Sequence, residues 1–86
     1  MRRDRFNAPL TDAEREFAAA HHYLIAKYLR KRRLPIDDWY DIVAFRYCRS
    51  VKRWFAIPAL HKHSFEIIAF YAMGSAIGHE YEKRKR

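Results

Sequence analysis

The sequence predicts an all-α domain built as a bundle of three helices, and three observations lead to this prediction. Prolines and polar residues divide the 86-residue chain into three long stretches. In the first two stretches, apolar residues recur every three or four positions, which is the spacing of one helix face. The chain has only two glycines and three prolines, and no run alternates apolar and polar residues as a half-buried strand does.

The first helix is predicted to begin at a capping signal and to run to about Arg32. Thr11 is followed three positions later by Glu14, and these two residue types cap a first helical turn reciprocally. The apolar stripe that follows has helical spacing and consists of Phe17, His21, Leu24, Ile25, Tyr28 and Leu29. Residues 1–10 are predicted to be a flexible basic N-terminus, and residues 11–86 to form the single domain.

The second helix is predicted to start at Asp37 and Asp38, which cap its first turn, and to end near Phe55. Its expected core face consists of Tyr40, Val43, Ala44, Tyr47, Val51 and Trp54. The opposite, charged face consists of Asp38, Asp41, Arg46, Arg49, Lys52 and Arg53. Ile42 and Phe45 lie among these charges, and large apolar residues on an outer face indicate a surface that binds a partner.

The third helix is predicted to follow a loop over residues 56–63 and to be capped by the hydroxyl of Ser64. It is apolar on almost all sides over its first three turns and basic at its end. Gly74 and Gly78 lie on one face of this helix. Because they lack side chains, we expect them to permit close packing against the small residues 18–20 of the first helix.

The charge of the chain favours an anionic partner. The 18 Lys and Arg residues exceed the 10 Asp and Glu residues and give a formal net charge of +8. Such an excess is typical of proteins that bind nucleic acid, a membrane surface or an acidic protein. The first residues lack the apolar run of a signal peptide, and the longest uncharged stretch, 67–78, is shorter than the roughly 20 residues that span a bilayer. A soluble, cytoplasmic protein with no membrane partner is therefore predicted.

The sequence contains no arrangement of residues that is typical of a catalytic or a metal-binding site. Cys48 is the only cysteine, and His61 and His63 have no neighbouring cysteine or carboxylate cluster to complete a zinc site. There is no glycine-rich phosphate loop, no nucleophile elbow and no pair of carboxylates that the sequence places together in a cleft. His21, on the apolar stripe, is predicted to be a hydrogen-bonded core histidine. We therefore predict no enzymatic activity, no metal and no cofactor.

Two motifs carry a resemblance to a known family. They are Asp-Trp-Tyr-Asp-Ile-Val-Ala-Phe-Arg-Tyr-Cys-Arg-Ser-Val-Lys-Arg-Trp at 38–54 and Phe-Glu-Ile-Ile-Ala-Phe-Tyr-Ala-Met-Gly-Ser-Ala-Ile at 65–77. Their order and spacing resemble region two of the bacterial RNA polymerase sigma factors, with which both segments align without a gap. The resemblance covers about residues 11–86 and implies a helical domain that acts in transcription initiation or its regulation.

The resemblance implies that the second helix docks on the clamp coiled coil of core RNA polymerase. Carried over position by position, the docking residues are Asp38, Asp41, Ile42, Cys48 and Arg49. Phe45 joins this predicted site because the hydrophobic pattern leaves it on the same outer face. The pair that the family carries as Gln-Glu is Asp41-Ile42 in this chain.

The resemblance also implies that the third helix binds promoter DNA at the minus-ten element. The positions carried over on one face of this helix are Ile68, Tyr71, Ser75 and Gly78. The basic end adds a predicted phosphate-binding run of Lys83, Arg84, Lys85 and Arg86. An isoleucine at 68 replaces a stacking tyrosine of the family, so we expect sequence-specific melting of DNA to be weakened.

Two other hypotheses follow from the same residues. In the first, the chain is a divergent helical interaction or dimerisation module, and Ile42, Phe45 and Tyr71 mediate homo-oligomer formation or bind another protein. In the second, it binds DNA without sequence preference through its net charge.

Overall fold

A computed structural model describes residues 8–85, and within that range the protein is all-helical, with no strand. Its α-helices, in chain order, are α1 (Asp12–Ala20), α2 (Tyr23–Lys31), α3 (Ile36–Ala56) and α4 (Phe65–Arg84). A short 3₁₀ turn, Pro58–Lys62, lies in the predicted loop before α4. The all-α prediction is confirmed, but the described residues form four α-helices and not three. The predicted N-terminal segment 1–10 lies outside the described residues except for 8–10.

The prediction of one continuous first helix is wrong, because the helix breaks at His21 and His22. Around this point, backbone N–H groups bond three residues back instead of four: His22 to Ala19, Leu24 to His21 and Ile25 to His22. Such bonds tighten the turn and redirect the chain. The buried stripe continues in α2 through Leu24, Ile25, Tyr28 and Leu29. Apolar spacing therefore persists across the break and gives no sign of it.

The start signals of the helices are partly as predicted. Thr11 and Glu14 form the complete capping box of α1, and the Ser64 hydroxyl accepts a hydrogen bond from the Ile67 N–H at the start of α4. The prediction for α3 is wrong, because this helix starts at Ile36 and no side chain caps it. The two aspartates that follow lie within its first turn, where their charge favours the helix dipole.

Helices α3 and α4 pack antiparallel and carry most of the core. Trp54 contacts Phe65 at one end of the pair, and Trp39 contacts Tyr81 at the other. The Tyr47 hydroxyl donates a 2.7 Å hydrogen bond to the Ala18 carbonyl and so fastens α1 to the middle of α3. The buried hydrophobic core consists of Ala18, Leu24, Ile25, Tyr28, Leu29, Trp39, Val43, Tyr47, Val51, Phe65, Ala69, Met73, Ala76 and Ile77.

The predicted faces of α3 need corrections on both sides. On the core side, Trp39 and Ser50 are buried, whereas Tyr40, Ala44 and Trp54 are only half-buried. On the charged side, Lys52 is buried, although the sequence pattern places it on the exposed face. Its Nζ lies 2.6 Å from the Glu14 Oε1, and the two side chains are 10 % and 12 % exposed.

Helix α1 is the reason for this burial. It crosses the C-terminal half of α3 and brings the Glu14 carboxylate over Lys52. Burial raises the pKa of Glu14, but the hydrogen bonds from Lys52 and Thr11 and the charge of Lys52 outweigh it, so the net pKa is lowered. Glu14 thus joins the capping box of α1 to a buried ion pair with α3.

The two glycines of α4 have different surroundings, and neither packs against residues 18–20 as predicted. A Cβ added at Gly74 would lie 2.8 Å from the Tyr28 hydroxyl oxygen, which accepts a hydrogen bond from Arg32. A Cβ added at Gly78 would meet nothing within 4 Å. The close approach predicted at this face therefore concerns α2, and only at Gly74.

We expect Gly78→Ala to raise the free energy of unfolding by about 1 kcal/mol, because alanine is the better helix former and the site is open. Gly74→Ala is the matched variant: it makes the same change in helix propensity, but the new methyl group must displace the buried ring of Tyr28. Denaturant titration of both variants measures the difference. Equal stabilisation at both positions would contradict the close contact at Gly74.

Candidate nucleic-acid interface

A groove of about 460 Å³ runs between α3 and α4 on the surface of the domain. The antiparallel packing of the two helices places the C-terminal half of α3 beside the N-terminal half of α4. The groove is lined by Arg46, Arg49, Ser50, Arg53, Leu60, His63, Ile67, Ile68, Tyr71, Ala72 and Ser75. We call it the α3–α4 groove.

The α3 wall of this groove is cationic. Arg46, Arg49 and Arg53 are spaced by three and four positions, so they lie on one side of the helix. His63 adds an imidazole from the segment before α4, and no carboxylate lines the groove in the described part of the chain. Guanidinium groups bind phosphate oxygens through paired N–H donors. This wall is therefore suited to an anionic ligand.

The α4 wall carries a projecting aromatic side chain. Tyr71 is 83 % exposed, which is the highest exposure among the large hydrophobic residues between positions 8 and 85. Ile67, Tyr71 and Ser75 also line a second, more open depression on the other side of α4, with Tyr28, Lys31, Phe70 and Gly74. Tyr71 therefore forms a ridge between two concave surfaces.

The predicted DNA-binding residues divide into two groups. Ile68, Tyr71 and Ser75 line the α3–α4 groove, whereas Gly78 is exposed on α4 and does not line it. The basic residues 83–85 lie at the far end of α4, beside the start of α3, and residue 86 lies outside the described residues. Arg84 is bonded to Glu80 at 3.0 Å and lies over the Trp39 ring at 4.7 Å.

The predicted polymerase-binding residues also separate along α3. Asp38 and Asp41 are exposed, Phe45 is 53 % exposed and Ile42 is half-buried against the core. We call these four residues the acidic–apolar patch. It occupies the N-terminal half of α3, whereas the arginines of the groove occupy the C-terminal half.

The remaining two predicted positions, Cys48 and Arg49, lie beside the N-terminal segment. They line a small depression with residues 8–10, Phe45 and Lys52. Arg49 lines the α3–α4 groove as well, and its guanidinium lies 6.0 Å from the centroid of the Phe45 ring. This residue therefore belongs to the groove and borders the acidic–apolar patch.

The nucleophilic and metal-binding residue types are placed as structural groups. Burial raises the pKa of the Cys48 thiol. His21 donates from Nδ1 to the Phe17 carbonyl at 2.9 Å, which confirms the predicted hydrogen bond, but the residue is half-buried and not fully in the core. His61 donates to the Trp54 backbone carbonyl, and its imidazole stacks on the Trp54 indole ring. Among residues 8–85, no three His, Cys, Asp or Glu side chains lie close enough to hold a metal ion.

Sequence reasoning missed part of the groove. Arg46 and Arg53 were expected on the charged outer face of their helix but were not assigned to a site, and His63 was expected in a loop. The spacing of the two arginines on α3 is visible in the sequence. The sequence does not show which side of α4 they face, because that depends on how the two helices pack.

Comparison with protein-family models, curated proteins and solved structures found no match to this chain. Within the described residues, no helix combines the length and the apolar character needed to cross a membrane.

Proposed function

We propose that this chain is a sigma-like transcription module that binds single-stranded DNA in the α3–α4 groove and core RNA polymerase through the acidic–apolar patch. The observation that carries the proposal is the meeting of an arginine wall and a projecting tyrosine in one groove. The resemblance of residues 38–54 and 65–77 to region two of the sigma factors supplies the biological setting.

The groove fits a single strand by its chemistry. Arg46, Arg49 and Arg53 provide charge for successive phosphates, and each neutralised phosphate releases counterions. Tyr71 provides a ring on which an unpaired base stacks, and stacking of this kind contributes about 1–3 kcal/mol per base. Bases in a duplex are already stacked on one another and do not offer their faces. Single strands are therefore the expected ligands.

The acidic–apolar patch fits a protein partner. Phe45 and Ile42 give it an apolar centre, and Asp38 and Asp41 give it a negative edge on a domain that is otherwise strongly basic. Apolar centres with polar edges are typical of protein–protein interfaces. The patch and the groove lie toward opposite ends of α3 and adjoin at Arg49, so we expect one domain to bind polymerase and DNA on neighbouring surfaces.

The DNA arm of the proposal is tested by titrating a fluorescent single-stranded oligonucleotide and its duplex at several salt concentrations. We expect the single strand to bind more tightly. Arg46→Gln should make the slope of log affinity against log salt less negative by about 0.7, the value for one phosphate contact on a single strand. Arg15→Gln is the matched control, since it removes one exposed arginine that lies outside the groove.

Equal affinity for the single strand and the duplex, with equal effects of both arginine variants, would contradict the groove and support binding through net charge. The alternative of a dimerisation module is checked by sedimentation. A mass that rises with protein concentration, together with no affinity for DNA or polymerase, would support it.

The polymerase arm is tested by binding of the domain to bacterial core RNA polymerase. We expect Phe45→Ala to weaken binding by about tenfold or more, because exposed aromatic residues at the centre of an interface carry much of its free energy. Tyr23→Ala is the control, since Tyr23 is 59 % exposed and lies on α2. Unchanged affinity of the Phe45 variant would remove the patch from the proposal.

A further inference from the structure

A run of four cations ends helix α2, and its backbone geometry is unusual. Arg33 has φ = 59°, in the left-handed region. The Leu34 N–H bonds to the Leu29 carbonyl at 2.9 Å, and the Arg33 N–H bonds to the Arg30 carbonyl at 3.0 Å. These two bonds form a Schellman motif, in which glycine is the usual residue at the left-handed position.

An arginine at this position costs stability that a glycine would avoid, because its Cβ crowds the backbone in the left-handed region. The chain therefore has a cation where a neutral residue would fold better. We call residues 30–33 the α2 cationic run. In the described part of the chain, no carboxylate forms an ion pair with any of its four side chains.

The α2 cationic run reaches the depression on the far side of Tyr71 through Lys31. Lys31 lines that depression, and its Nζ lies 5.7 Å from the centroid of the Phe70 ring. Arg32 is held beside it by a 2.7 Å hydrogen bond to the Tyr28 hydroxyl. Three residues of α4, with Tyr71 in the middle, line both this depression and the α3–α4 groove. The two cationic regions are therefore joined across α4 by a continuous surface.

We propose that the α2 cationic run is a second phosphate-binding region for the same nucleic-acid strand: the strand leaves the α3–α4 groove, crosses the Tyr71 ridge and places phosphates at Lys31 and Arg33. This inference rests on the proposed function. The surface between the two regions is convex at Tyr71, so the bound strand must bend over one side chain. Duplex DNA is stiff over about 150 base pairs, whereas the domain measures at most 35 Å, so the occupant is a single strand.

Arg33→Gly provides a direct test. Loss of the cation should weaken DNA binding, whereas a glycine at the left-handed position should raise the stability of the fold. We expect a higher melting temperature together with weaker binding of a fluorescent oligo(dT) strand. The slope of log affinity against log salt should become less negative by about 0.7. A variant that folds better and binds less well cannot owe its lost affinity to unfolding. Lys31→Gln should cause a similar change in slope, and Arg15→Gln should cause a smaller one.

Several outcomes would overturn this inference. Unchanged DNA binding in Arg33→Gly and Lys31→Gln, with a loss in Arg46→Gln, would leave the proposed function intact and remove the second region. A stoichiometry of two strands per domain would contradict a single continuous path. Loss of polymerase binding without loss of DNA binding would assign the α2 cationic run to a protein partner. Failure of the unaltered domain to bind oligo(dT) would overturn the DNA arm of the proposed function as well.

Discussion

Lys52→Met is expected to lower the free energy of unfolding by about 3 kcal/mol, a large share of the 5–15 kcal/mol typical of a small domain. The substitution leaves the Glu14 carboxylate buried without its charged partner, which lies 2.6 Å away in the unaltered protein. Methionine has a similar length and packs in the same space, so the lost partner and not a cavity dominates the effect. Denaturant unfolding measures the change.

The matched control is the other ion pair between helices, Lys27 with Glu66. Its atoms lie 3.0 Å apart, but the side chains are 48 % and 39 % exposed, so water screens their attraction. Lys27→Met should therefore cost only a few tenths of a kcal/mol. The double variant Glu14→Gln with Lys52→Met removes both buried charges and should recover part of the stability. Equal costs for the two single variants would contradict a structural role of the buried pair.

The same ion pair predicts how stability depends on pH. The pKa of Glu14 is lowered from its ordinary value of 4.5 in the folded protein, so below that value the unfolded state binds more protons than the folded state. The contribution of Glu14 is present above pH 4.5 and is lost as the pH falls through the lowered pKa. Glu14→Gln should flatten this part of the stability curve, measured by thermal unfolding between about pH 6 and pH 2.

Tyr71→Ala is expected to weaken the binding of single-stranded DNA by about 5- to 150-fold, because the variant loses the ring on which a base stacks. Tyr71 is 83 % exposed, so the same substitution should leave the melting temperature almost unchanged. Fluorescence anisotropy with a labelled strand measures the loss.

Two variants distinguish stacking from a general loss of surface. Tyr71→Phe keeps the ring and loses only the hydroxyl, so it should keep most of the affinity. Tyr23→Ala removes an aromatic ring of similar exposure from α2 and should have little effect. A Tyr71→Phe variant that binds as weakly as Tyr71→Ala would assign the contribution to the hydroxyl and contradict base stacking.

Much of the fold follows from local sequence signals. The capping box at Thr11 and Glu14 and the cap at Ser64 are formed by neighbours within three residues, so the residue types alone predict them. The break at His21 and His22 could not be predicted in this way. The residues before and after the break have the same apolar spacing. The tighter hydrogen bonds accompany a change of direction that lets α1 and α2 pack separately on the rest of the domain.

The candidate site shows the same division. The resemblance to the sigma factors selected Ile68, Tyr71, Ser75 and Gly78, which helical spacing places on one face. The structure puts the first three in the α3–α4 groove but not Gly78. The arginine wall was visible only as charge on an outer face. Its position opposite Tyr71 follows from the antiparallel packing of α3 on α4, for which a local pattern contains no information.

The amino-acid sequence is sufficient to establish that this chain is helical, where most of its helices lie and that it carries a large positive charge. Helix formation depends on residues near one another in sequence, and net charge depends only on composition. Which charges are buried and which face a shared groove depends on residues far apart. Glu14 and Lys52 are 38 positions apart, and the pattern of α3 places this lysine in solvent. Its burial and the meeting of Arg46 with Tyr71 arise when the helices pack, because contacts between distant segments determine which side chains lose water.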